Sequence, residues 1–150
     1  MTFKHTVAQA RKIWYDALLS GKYKQCRNSL RTGPGEAAGH CCLDVAICEF
    51  MKAEPEACAA CELTDCFEAG EYRWRDPDGV HGEELAADTD LPGPVAIWLG
   101  YGDPAGTPYG YSKDDRTFIY LNDEEEMDFE QIANFILTPS NRAELGMESR

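Results

Sequence analysis

Cys41-Cys42-Leu43-Asp44-Val45-Ala46-Ile47-Cys48-Glu49-Phe50 is the stretch on which the fold turns. From residue 37 to Met51 almost every face is apolar, and Asp44 and Glu49 are the only acids. A run of this length that is apolar all round predicts a helix buried on most sides. Upstream, Val7, Ala10, Trp14, Ala17 and Leu18 fall at steps of three and four, with Arg11, Lys12 and Asp16 between them. That spacing predicts an amphipathic helix anchored by Trp14 and stopped at Ser20-Gly21. The two helices together define a small packed core.

Outward from this core, residues 22–36 are polar, and Gly33-Pro34-Gly35 reads as a loop. Pro55 opens a short helix from Glu56 to about Phe67, because proline suits the first helical turn. Tyr72-Arg73-Trp74-Arg75 alternates aromatic and basic residues, the period of a half-buried strand. Asp76-Pro77-Asp78-Gly79 is turn chemistry closing a hairpin to Val80. Residues 82–90 read as an acidic loop. A helix then starts at Thr89-Asp90-Leu91-Pro92, with Val95, Trp98 and Leu99 on one face and Gly100 as its stop. Tyr101 to Ser112 reads as a surface loop and Phe118 to Leu121 as a second strand. Asp128 with Gln131 is a capping-box pattern for a last helix whose core stripe is Phe129, Ile132 and Ile136. The expectation is a helix-rich α+β fold in a single globular domain over 1–137, with a small antiparallel sheet. Residues 138–150 read as a flexible C-terminal tail after Thr138-Pro139.

A chain of 150 residues buries a real core without disulfide staples. It has no apolar run of about 18 residues that would cross a membrane, and no apolar leader segment. The expected setting is therefore a reducing cytoplasm. The seven cysteines cannot all pair with one another, which fits free thiols or metal thiolates. The net charge of −13 is unevenly placed: through Arg31, seven basic residues face one acid, giving +6, and the remainder carries −19. Such asymmetry suits either a steered partner or a basic helix docked on its own acidic domain. Direct binding to duplex nucleic acid is disfavoured, since it needs a broad basic surface.

The pattern Trp14-x-x-Ala17-Leu18-x-Ser20-Gly21-x-Tyr23-x-Gln25, then Cys41-Cys42-Leu43-x-Val45, then Leu121-Asn122-Asp123 and Phe129-x-x-Ile132-Ala133, resembles a family of small proteins common in bacteriophage and prophage genomes. The resemblance covers roughly residues 14–137. It implies a phage-encoded accessory protein working in a host bacterial cytoplasm, and a short extended segment from Tyr23 to Leu30. It implies no particular biochemical activity.

Among motifs with chemical content, six of the cysteines fall between Cys41 and Cys66, and Cys58-x-x-Cys61 has metal-ligand spacing. With Cys48 and Cys66 it would complete a structural zinc tetrad, and His40 and His81 are reserve ligands. The alternative is a set of buried thiols. A cysteine nucleophile needs a histidine base, and His40 beside Cys41 points ~100° away from it on a helix. The chain thus reads as non-enzymatic.

A ligand site has more candidates. Lys22, Tyr23, Lys24 and Arg27 lie in one short loop, Arg73 and Arg75 flank Trp74, and Tyr101 and Tyr109 lie in the glycine-rich loop. Cations for phosphate and planes for a base suit a small phosphorylated, nucleotide-like ligand. The alternative is an acidic interaction or DNA-mimic factor that occupies a basic host site, using Glu83, Glu84, Asp88, Asp90, Asp114, Asp115 and Asp123 to Glu126. A second alternative is a structural zinc-binding domain. A homo-oligomer also stays open, since Trp98 and Leu99 suit a dimer seam as well as a monomer core.

Overall fold

A computed structural model describes residues 1–33, 38–66, 71–76, 84–112 and 116–147. Helix α1 (Val7–Leu19) opens with Thr6, whose hydroxyl accepts from the Gln9 backbone while Gln9 returns the bond. Gly21, at φ +77°, turns the chain away beyond the helix. Three two-residue strands follow: β1 (Lys24–Gln25), β2 (Arg31–Thr32) and β3 (Gly39–His40). β3 lies between the other two, parallel to β1 and antiparallel to β2. A Cβ on Gly39 would stand 2.7 Å from Thr32 Oγ1 and 2.8 Å from Cys26 Cβ, so only glycine fits between these neighbours.

Helix α2 (Cys42–Ala53) is the hub, touching α1 and, further along the chain, α3 (Pro55–Ala60), α4 (Gly93–Trp98) and α5 (Phe118–Asp123). Its residues 42–47 are all buried. Trp14 is fully buried against it and donates its indole N–H to the Cys42 carbonyl at 2.8 Å. Phe118 meets the Trp14 ring edge-on at 4.9 Å, and Trp98 meets Phe50 at 5.4 Å. Trp98 and Leu99 therefore belong to this core. The second sheet, β4 (Thr64–Cys66), β5 (Glu71–Arg75) and β6 (Glu84–Ala87), is antiparallel throughout, with β5 in the middle. Helices α6 (Phe129–Ala133) and α7 (Pro139–Glu144) complete the helix-rich α+β fold.

Several elements differ from the sequence reading. The central helix starts at Cys42, and Gly39–His40 ahead of it is a strand. The helix opened by Pro55 stops at Ala60, and Thr64–Cys66 pairs with β5. Glu84–Ala87 is a strand, not a loop, with Leu85 opposite Trp74. The turn read at Asp76-Pro77-Asp78-Gly79, with its hairpin to Val80, lies outside the described residues beyond Asp76. Phe118–Asp123 is a helix capped by Thr117, and its buried residues Phe118, Leu121 and Asn122 have helical spacing. Residues 139–144, expected in a tail, form α7, where Thr138 and Asn141 make a reciprocal capping box. The Asp128–Gln131 box stands as read, and Phe129, Ile132 and Ile136 are buried, but α6 ends at Ala133, so Ile136 packs from the turn beyond it.

Asn122, fully buried, fastens three of these pieces. Its Oδ1 accepts from Gln25 Nε2 at 2.9 Å and from the Cys42 backbone N–H at 3.3 Å, and its Nδ2 donates to the Cys26 carbonyl at 2.9 Å. Replacing it strands several buried polar groups at once. Asn122→Ala is expected to lower unfolding free energy by roughly 2–3 kcal/mol, with an unchanged urea m-value.

Candidate functional site

Asp44 lies in the first turn of α2 with no exposed surface, so its carboxylate needs partners from the protein. The two sheets supply them. Arg31 of β2 donates from Nε to Asp44 Oδ2 at 3.1 Å, and the Tyr72 hydroxyl of β5 donates to Oδ1. His40 Nδ1 of β3 shares a hydrogen bond with Oδ2, and the Tyr23 ring stands edge-on to His40 at 5.1 Å. Arg31 also reaches Asp65 at 2.8 Å, the Tyr72 hydroxyl at 2.7 Å and Cys48 Sγ at 3.4 Å.

Electrostatics follow from this geometry. Burial opposes the charge on Arg31, but Asp44 outweighs it and holds the guanidinium more firmly protonated than usual. Burial, reinforced by Asp44, raises the Tyr72 hydroxyl. The Cys48 thiol is pushed up to about 11 by burial and then by Asp44, with Arg31 opposing. A thiol so raised is a poor nucleophile at neutral pH. Among the described residues, the group of three potential metal ligands within 4.8 Å of one another is His40, Asp44 and Cys48. Arg31 already sits against two of them, so the positive charge a cation would bring is supplied by the protein.

A second buried acid, Glu54, accepts from the Lys4 and His5 backbone, the His5 ring and the Trp98 indole. Burial raises its carboxyl, but these hydrogen bonds together win and leave it below the ordinary value. Both acids hold the fold together.

The open cavity is elsewhere, between α1, α6 and α7. It measures about 220 Å³ and is lined by Tyr15, Tyr109, Ala133, Asn134, Leu137 and Arg142, among others. Arg142 Nε is buried with no hydrogen-bond partner among the described residues. A shallower hollow of about 260 Å³ adjoins it across Tyr109 and includes Arg11, Tyr101 and Tyr111. Arg11 lies 4.5 Å over the Tyr101 ring and donates to the Leu99 carbonyl and to Asn141.

Residues 7–139 match a family described as a domain of unknown function, DUF8296. The chain belongs to that family. No curated protein and no solved structure matches it.

In this DUF8296 chain the residues singled out from sequence disperse. Tyr101 and Tyr109 reach the cavity region. Lys22 and Lys24 are exposed, and the Tyr23 hydroxyl accepts from Lys52 at 2.9 Å. Arg27 caps carbonyls of Asn122 and Glu126. Arg73 pairs with Glu71 and Arg75 with Glu62, while Trp74 is buried between them. The four cysteines do not assemble: Cys48 joins the Asp44 cluster, while Cys58 and Cys61 donate to the Leu63 and Cys58 carbonyls. Cys66 lies in β4, and His81 is outside the described residues. Arg142, Tyr15 and Asn134 were missed, although the Thr138-Pro139-x-Asn141 cap pattern signalled the helix that carries Arg142.

The raised Cys48 thiol has a pH consequence. A folded-state value above the ordinary 9.0 stabilises the fold while the thiol is neutral. That contribution is complete below pH 9 and is lost as pH climbs through about 11. Urea unfolding across this window is expected to show a fall on the order of 2 kcal/mol that is absent from the Cys48→Ala curve.

Proposed function

We propose that this chain is a non-enzymatic binding protein that captures a small phosphorylated ligand in the cavity beside Arg142. The observation that carries the reading is the buried Arg142 Nε, which has no partner among the described residues and borders an open cavity with tyrosine rings. A buried donor left unpaired costs about 1–3 kcal/mol, and an anionic oxygen entering the cavity would recover it. Guanidinium suits phosphate because its N–H groups form a planar fork. Tyr15 and Tyr109 offer planes for a ring. The basic first segment of the chain supplies Arg11 to the adjoining hollow.

The non-enzymatic part draws support from the thiols. Cys41, Cys42 and Cys48 are all raised, chiefly by burial, and the His40–Asp44 pair is enclosed by Arg31 and Tyr72. A phage or prophage origin, with a host ligand as cargo, rests on the sequence pattern described above.

Isothermal titration with AMP, GMP and inorganic phosphate tests the reading. Arg142→Ala is expected to weaken binding at least ~10-fold, the scale of one lost charge-assisted hydrogen bond. Arg142→Lys should keep part of the affinity, and Arg73→Ala should keep all of it. No heat with any probe, or equal affinity in Arg142→Ala, would overturn the proposal.

A further inference from the structure

A second concave surface lies where the antiparallel sheet meets α4. It measures about 190 Å³, and Trp74, Leu85, Pro94 and Ile97 contribute to its wall together with Asp76. Ile97 is 62% exposed and Leu85 42%, unusual values for large aliphatic side chains flanking one groove. Leu85 is the register partner of Trp74, so the two share a face of the sheet. β6 is the last strand in the sheet order, so its outer edge has no strand partner among the described residues. An open edge offers backbone N–H and C=O groups to any extended chain laid beside it.

The charge around that edge has one sign. Glu84 is in β6, and Asp88 and Asp90 directly follow it, all exposed. Asp90 is raised above its ordinary value by partial burial and by its neighbours Asp103 and Asp88, a mark of like charges crowded together. The cations of the adjacent strand are already engaged: Arg73 meets Glu71 at 2.7 Å, and Arg75 meets Glu62 at 3.3 Å.

We propose that β6 and the Leu85–Ile97 groove form a docking surface for an extended, basic segment of a partner protein, which adds to the sheet as a fourth strand. Period-two geometry fixes the sequence it accepts. Every second side chain of the incoming strand falls on the Leu85 face and enters the groove, so those positions are aliphatic. The intervening positions lie alongside Glu84 and the acids beyond it, so those are lysine or arginine. This surface is separate from the Arg142 cavity and is independent of what that cavity binds.

The probe is a synthetic eight-residue peptide alternating valine and lysine, titrated into the full chain and followed by fluorescence anisotropy. Binding is expected to weaken with salt, and at least ~5-fold in Ile97→Ser and in Leu85→Ser. A version methylated at alternate backbone nitrogens should also weaken, because it cannot complete the ladder. Ile97 is so exposed that its serine variant should fold normally, which circular dichroism checks.

Three results would overturn the proposal. The first is equal binding of a lysine–serine peptide, which would leave only general attraction to an acidic protein. The second is equal binding of a glutamate–valine peptide. The third is a concentration-dependent dimer in sedimentation that Ile97→Ser abolishes, which would make a second copy of the chain the occupant.

Discussion

Asp44 is a carboxylate with no access to water in the first turn of the central helix, and the architecture is arranged around satisfying it. Its partners come from three different strands: Arg31 from β2, His40 from β3 and Tyr72 from β5. One buried charge therefore ties α2 to both sheets, and Arg31 extends the tie to Asp65 on β4. The two sheets are too small to stand alone, since strands of two to five residues bury little. Removing one partner of such a cluster typically costs about 3–5 kcal/mol, because the charge left behind stays buried. The specificity gained is directional, for apolar packing alone would not fix which strand meets which turn of α2.

Glu54 and Asn122 repeat the device at two other places. Glu54 gathers the first residues of the chain onto the α2–α3 junction and Trp98, and Asn122 gathers the α5 end onto β1 and the start of α2. Each is a polar group in the interior bonded chiefly to segments distant in sequence, with the Asn122 bond to Asp123 the local exception. With these groups satisfied internally, the Arg142 cavity and the β6 edge stand out among the described residues. The first has a buried donor without a partner among the described residues, and the second has exposed aliphatic side chains beside crowded acids. The occupants proposed for them differ in kind, one anionic and small, the other basic and extended.

What could be read in advance divides along a physical line. Local signals were sufficient for α1, α4 and α6, because a helical stripe, a capping box or a glycine stop acts within a few residues of itself. The same rule would have found α7 from its own capping box, had the proline been taken as a helix start and not a stop. Phe118–Leu121 was misread because a four-residue apolar run fits a strand and one helical turn equally well, and packing against Trp14 and α2 decides. β6 was invisible because Glu84-Leu85-Ala86-Ala87 carries little strand preference, and only pairing with β5 makes it a strand. Of the candidate cavity, Tyr109 of the glycine-rich loop was legible in the sequence. The rest of its lining came from α1, α6, α7 and the residues joining α6 to α7, which meet there only in three dimensions.

The sequence by itself determined the class, the hub helix and the asymmetry of charge, because these follow from composition and from periodicities shorter than two helical turns. Residues 7–139 also carry the match to the domain of unknown function DUF8296. The tertiary structure alone decided what the polar residues are for. Arginines that looked like ligand contacts became partners of acids and carbonyls, cysteines at metal spacing became separate thiols, and an unremarked Asp44 became the centre of the interior. The reason is that a charge's role is set by the dielectric around it and the groups within about 4 Å, and neither is a property of the chain near it in sequence.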